Sequence, residues 1–212
     1  MPAIAITIAQ QKGGAGKTTL AAQLAVAWWK SGRRVAMIDV DPQGSLSAWY
    51  DERLRRGHPS NGLYLVQVSG WRLPTEVDRL KRDYDLVVVD SPPHAETDAR
   101  VAVRAARLVV VPLQPSPMDL WAMRPTLELA GKEGSQALVV LNRVARGKMV
   151  ETVKQQIAAQ GLPLATAMLG NRVAFAASMM EGRGVVETSP TNPATLELQA
   201  LADEIAGMVG SP

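Results

Sequence analysis

Two lysines bracket a glycine-rich stretch, Gln11-Lys12-Gly13-Gly14-Ala15-Gly16-Lys17-Thr18-Thr19. Residues of these types at this spacing can hold a polyphosphate. Glycines let the backbone curl until successive N–H groups converge on one anion, and a helix starting there adds its positive end. Lys17 is placed to reach the β- and γ-phosphates, and the Thr18 hydroxyl to take a position on Mg²⁺. Gly13, Gly14, Ala15, Gly16 and Thr19 complete the cradle. An apolar β-branched run, Ile4 to Ala9, precedes the stretch, and Leu20 to Lys30 follows it with helical spacing. Strand, glycine turn and helix together form the context that phosphate binding requires.

Carboxylates at strand tips are the second ingredient. Val35 to Ile38 reads as a strand, and Asp39-Val40-Asp41-Pro42-Gln43-Gly44-Ser45 follows at its carboxyl end. Open α/β sheets place their ligands at that end. The two acids face the phosphates together, or they cap a helix predicted over Leu46 to Leu54; the residues alone fit both readings. Asp85 to Asp90 is a buried apolar strand ending in an acid, and Ser91-Pro92-Pro93 follows. Such a strand would carry Asp90 to the metal side of a nucleotide, where it holds a water bound to Mg²⁺.

The ordinary phosphate-loop pattern has a glycine where this chain has Gln11, and here a second lysine, Lys12, stands at the front. This K-G-G-A-G-K-T-T stretch, with D-x-D-P-Q-G and S-P-P, resembles the ParA/MinD family of deviant Walker A ATPases over nearly the whole chain. The nearest branch is the small ParA-type partition proteins that lack an N-terminal helix-turn-helix. The resemblance implies ATP and Mg²⁺ as cofactors and an ATP-dependent homodimer. Lys12 would extend across that dimer to the partner's phosphates. Asp41 would position or activate the attacking water, Asp39 would lie near the Mg²⁺ shell, and Gln43 and Gly44 would sense the γ-phosphate. Asn142, in the Leu141-Asn142-Arg143 motif, would face the adenine ring. Arg172, with Arg183 as a helper, falls in the region that contacts nonspecific DNA in partition proteins; an ion pair with a nearby carboxylate explains Arg172 equally well. The implied function is segregation of plasmid or chromosome DNA, or positioning of a protein cluster, with hydrolysis stimulated by a ParB-like adaptor. The alternative is a MinD-like or cellulose-synthesis-type regulatory ATPase that recruits partners without binding DNA. Gln10 departs from the asparagine that the family often carries there.

The elements that position these groups alternate between strand and helix, so the expected fold is α/β: a mostly parallel twisted sheet flanked by helices on both faces. The 212 residues suit one domain over 1–212. Absence of cysteine excludes disulfides and Cys-ligated zinc or iron–sulfur centres, and with them a nitrogenase iron protein. The net charge of +3 permits nucleic acid as a partner without requiring it. No apolar run reaches the length of a membrane span, and the chain enters its first strand without a signal peptide. The expectation is a cytoplasmic, nucleoid-associated protein with no membrane partner.

Further expectations are a strand over Leu63 to Val68, a helix over Trp71 to Arg82 with Trp71 capping the core, and a solvated charged segment from Asp51 to Gly57. Core strands are expected over Leu108 to Pro112 and Ala137 to Arg143, with helices over Leu120 to Lys132 and Met149 to Gly161. Arg100, Arg104 and Arg107 read as a solvated stripe, and Leu162 to Leu164 as an edge strand. The final helix, Asn192 to Val209, is expected to bury Leu196, Leu201, Ile205 and Met208. It lacks the basic face of a membrane-surface helix. His94, beside Ser91-Pro92-Pro93, is a weak catalytic candidate.

Overall fold

The computed structural model describes residues 3–93, 96–145 and 147–210, so His94 and Arg146 lie outside the described residues. The strands are β1 (Ile4–Ile8), β2 (Val35–Asp39), β3 (Leu63–Gln67), β4 (Leu86–Asp90), β5 (Leu108–Leu113) and β6 (Gln136–Leu141). They form one sheet in the order β3-β2-β4-β1-β5-β6, every adjacent pair parallel. Central strands of such a sheet are buried on both faces, which is why β1, β2, β4 and β5 are unbroken apolar runs rather than alternating ones.

Successive side chains of these strands point to opposite faces and are covered by different helices. Ile4, Ile6 and Ile8, with Val35, Met37, Leu86 and Val88, pack under α1 (Lys17–Lys30), α2 (Ser45–Arg55), α7 (Val173–Met180), α8 (Val185–Thr188) and α9 (Pro193–Val209). On the other face Ala5, Ala36, Ile38 and Val87 meet α3 (Leu73–Leu80) and α4 (Glu96–Ala105). Val109, Val111, Val139 and Leu141 meet α5 (Pro117–Lys132) and α6 (Met149–Ala159). The expected α/β sheet with helices on both faces is the fold observed.

Several local expectations are corrected. Leu162 to Leu164 is not a strand; Leu164 makes only an isolated parallel bridge to Val139. Trp71 lies in a 3₁₀ turn, Gly70–Arg72, and is 78% exposed, with the Arg72 guanidinium over its ring. Leu196 and Met208 face solvent, and α9 instead buries Ala194, Leu198, Leu201, Ala202, Ile205 and Val209. Helix α5 starts earlier than expected, at Pro117, because Ser116 caps it by accepting from the Asp119 N–H. The segment Asp51 to Gly57 is not uniformly solvated. Arg53 is fully buried, bidentate on Glu187 at 2.9 Å, bonded to the Gly182 and Pro59 carbonyls, and stacked on the Trp29 ring. A buried guanidinium is tolerable only when its donors are met, and here they are.

Candidate nucleotide and phosphoryl-transfer site

Because all strands run parallel, their carboxyl ends open on one edge. The β1 strand sits at the point where the chain's winding reverses, with β4 on one side and β5 on the other. The loop after β1 therefore lies between the ends of β4 and β5. Register places Ile8 beside Asp90 and Asp39 beside Asp90 on the next strand. The Ile8 carbonyl accepts from both the Ser91 N–H and hydroxyl, fastening the root of the loop to the end of β4.

Gly14 and Gly16 have φ of +80° and +89°, a region that side chains oppose, and Gly16 is the residue from which α1 starts. A Cβ on Gly16 would also stand 2.6 Å from Asn142 Nδ2, whereas one on Gly13 or Gly14 meets nothing within 4 Å. Gly13 and Gly14 are exposed, so the concave side of the loop is open to a ligand. Two side chains hold the loop from behind: Gln114 Nε2, past the end of β5, donates to the Gly14 carbonyl at 3.0 Å, and Arg143 Nη1 does so at 3.3 Å. The sequence alone marks neither Gln114 nor Arg143 as a brace for the loop. Arg143 carries the one positive φ among the described non-glycine residues, +52°, and its N–H is held by Asn142 Oδ1 at 2.9 Å.

Lys17 is buried at the first turn of α1. Burial lowers its pKa, opposed by the negative charges of Asp90 and Asp41. Asp90 is fully buried; the Thr18 hydroxyl faces it without completing a hydrogen bond of good geometry, which leaves both oxygens unpartnered. Burial pushes its pKa up to about 7, opposed by the Thr18 hydroxyl and Lys17 and reinforced by Asp39 and Asp41. An orphaned buried carboxylate facing a lysine and a threonine fits a Mg²⁺ ion, which would supply the missing positive charge beside a phosphate. Among the described residues no three His, Cys, Asp or Glu side chains converge to hold a cation alone. Mg²⁺ does not require such a cage, since it keeps waters and takes phosphate oxygens as ligands.

Asp39 is buried, and both its oxygens are engaged: Oδ1 accepts from the Asp41 N–H at 3.1 Å, and Oδ2 accepts from Ser47 N–H and hydroxyl at 2.9 Å. It thereby fixes the loop that presents Asp41 to the start of α2. The helix-capping reading is realised in Asp39, which accepts from Ser47 in the first turn of α2. Asp41 is half-buried, with Oδ1 accepting from the Gln43 N–H at 2.9 Å.

Lys12 does not enter the cradle of its own loop. Its Nζ lies 2.5 Å from Asp119 Oδ2, on the first turn of α5, and its side chain is 39% exposed while that of Asp119 is 2% exposed. The Ser116 hydroxyl donates to the same oxygen at 2.5 Å. Asn142, at the tip of β6, lines a cavity of about 320 Å³ with Thr19, Leu20, Gln23, Arg143 and the segment from Leu169 to Ala176. Its amide N–H donates to the Ala15 carbonyl at 2.9 Å, so Asn142 braces the phosphate loop as well as facing the cavity. Arg172 lines this cavity too, and the ion-pair reading is realised: it is bidentate on Glu197 of α9, at 2.9 and 2.5 Å. Arg183 is also engaged, donating to the Glu187 carbonyl at 2.8 Å and lying 3.5 Å from Glu181.

A braced glycine loop, a buried lysine, an orphaned buried acid and an adjoining cavity together fit a nucleotide site. The family comparison agrees: residues 6–185 match the CobQ/CobB/MinD/ParA nucleotide binding domain. The chain belongs to this family. It is 34% identical over 206 residues to the maintenance of carboxysome distribution protein A of Gloeobacter kilaueensis, covering 94% of this chain and 93% of that protein. It is 28% identical over 246 residues to the chromosome-partitioning ATPase Soj of Thermus thermophilus, covering 96% of each. Among solved structures, the septum site-determining protein MinD of Pyrococcus horikoshii, complexed with Mg-ADP, superposes with a TM-score of 0.82 at 22% identity, covering 98% of both chains. The cofactors of this nucleotide binding domain are ATP and Mg²⁺. Among the described residues no helix is long and apolar enough to cross a membrane.

Proposed function

We propose that the chain is an ATP-hydrolysing positioning protein, in which ATP joins two copies face to face and hydrolysis parts them. The supporting observation is the placement of Lys12, a solvent-accessible cation at the front of the loop, turned away from its own cradle. Lys17 and the loop N–H groups grip the β- and γ-phosphates. Thr18 and Asp90 would hold Mg²⁺, with Asp39 beside them, and the ion would supply positive charge against the phosphates. Asp41 orients the attacking water through its carboxylate. Lys12 of each copy leaves Asp119 and enters the other's site, adding a charge of the arginine-finger class. The base rests in the cavity beside Asn142.

As an ATP dimer the protein binds nucleoid DNA nonspecifically, and an adaptor of the ParB type stimulates turnover, so that a DNA molecule or protein cluster is moved. Resemblance along the full length to both a carboxysome-distribution protein and a chromosome-partitioning ATPase supports a positioning role. Light scattering of the purified chain with ADP or a slowly hydrolysed ATP analogue tests dimerisation, with dimer expected only for the triphosphate. DNA retention should follow the dimer and weaken with a slope of about −0.9 in log–log salt plots for each phosphate neutralised. Equal retention with ADP and ATP would remove DNA from the account.

A further inference from the structure

The sequence marks Gln10 as a departure from the related proteins, and the structure gives it unusual surroundings. It lies between the end of β1 and the phosphate loop and is 1% exposed, yet neither Oε1 nor Nε2 has a hydrogen-bond partner. Facing the same region from α5 is Thr126, 3% exposed, whose hydroxyl is also unpartnered. Both line a small space of about 10 Å³, shared with Ala9, Gln11, Ser91, Pro92 and Leu129. Buried polar groups are nearly always hydrogen-bonded, so three unpartnered atoms around one space require a common explanation.

We propose that Gln10 and Thr126 form a site for one internal water molecule. The volume matches the roughly 10–15 Å³ that a single water needs, and the donors and acceptors fall within the two to four partners such waters take. A metal cation is the wrong occupant. No carboxylate lines the space, the Ser91 hydroxyl is already bonded to the Ile8 carbonyl, and hard cations take about six oxygens or more. The water bridges the root of the phosphate loop to α5 beside Ser91 and Pro92, the residues that follow Asp90. The leading turn of the same α5 carries Asp119, the partner of Lys12. The bridge is thus a polar joint between the root of the phosphate loop and the helix that holds the partner of Lys12.

A crystal structure of the full chain at a resolution that shows ordered water tests the site directly. One water within hydrogen-bond distance of the Gln10 amide and the Thr126 hydroxyl is expected. A dry space, or Gln10 bonded straight to Thr126, would overturn the proposal. A urea-denaturation cycle with Gln10→Met, Thr126→Val and the double variant gives a second readout. Each single change should lower the folding equilibrium constant several-fold by leaving the water short of partners. The double change, which makes the space apolar, should recover most of the loss. Strictly additive losses would contradict a shared water.

Discussion

Lys12 Nζ sits 2.5 Å from the buried Asp119 Oδ2, so the cation proposed to cross between subunits is held within its own chain in this structure. In the proposed dimer the pair would compete with association, because Lys12 would surrender one anion to gain another. Asp119→Asn removes the charge while keeping the shape. The variant should dimerise with ATP analogue at several-fold lower protein concentration than the parent, as read by light scattering. An unchanged concentration dependence would mean that the pair does not restrain Lys12.

Asp90 offers a pH test. Its pKa, raised to about 7 from a usual 3.8, means the folded apo protein keeps a proton that the unfolded chain releases between those values. This group therefore favours the fold least above about pH 7 and progressively more as pH falls toward 4, by up to ~1.4 kcal/mol per pH unit. Binding of the Mg²⁺ nucleotide should release a proton near neutrality, so its affinity should climb from pH 6 to pH 8. Calorimetry in buffers of different ionisation heat reads that proton. Asp90→Asn should be more stable than the parent at pH 8 and show no such release.

Arg53 and Glu187 form a buried pair whose loss should be costly. Burial raises the Glu187 pKa, but Arg53 and the Gly184 N–H outweigh it and hold the carboxyl below its usual range. That stabilisation is present at neutral pH and disappears as pH falls through the depressed value. Glu187→Gln at pH 7 leaves a buried guanidinium without its anion and should destabilise by about 3–5 kcal/mol. Urea midpoints with unchanged slope would report this. A loss below 1 kcal/mol would show that the carbonyls of Pro59 and Gly182 suffice.

Arg172 can be tested by freeing it. In Glu197→Gln the arginine loses its bidentate anion while still lining the cavity beside Asn142. If Arg172 contacts DNA in the dimer, this variant should retain DNA at higher salt than the parent, and Arg172→Glu should lose retention while still dimerising. A lower melting temperature with unaltered DNA retention would assign the residue to structure alone.

The parts of the site that sequence revealed are those made by one local segment. Ile4–Ile8 and Leu86–Asp90 announce buried parallel strands because both faces are covered, and their terminal loop and acid follow from chain direction. Gly14 and Gly16 were legible because positive φ restricts residue choice. Contacts between distant segments were not. Asp119 meets Lys12 across 107 residues, and Arg53 meets Glu187 across 134. Nothing in D-E-R-L-R-R-G distinguishes the buried arginine from its solvated neighbours. Arg143 and Gln114 brace Gly14 only because the sheet order brings β5 and β6 to the β1 side. The helix stripe Leu196 to Met208 misled because period alone does not say which edge of an apolar face meets the core.

The most direct measurement concerns Lys12 itself. Lys12→Ala should still bind nucleotide through the intact loop, yet form no dimer with ATP analogue, and its turnover should fall by roughly 10³-fold or more, the scale of a lost finger residue. A Lys12→Ala chain that pairs and hydrolyses ATP as the parent does would contradict the account.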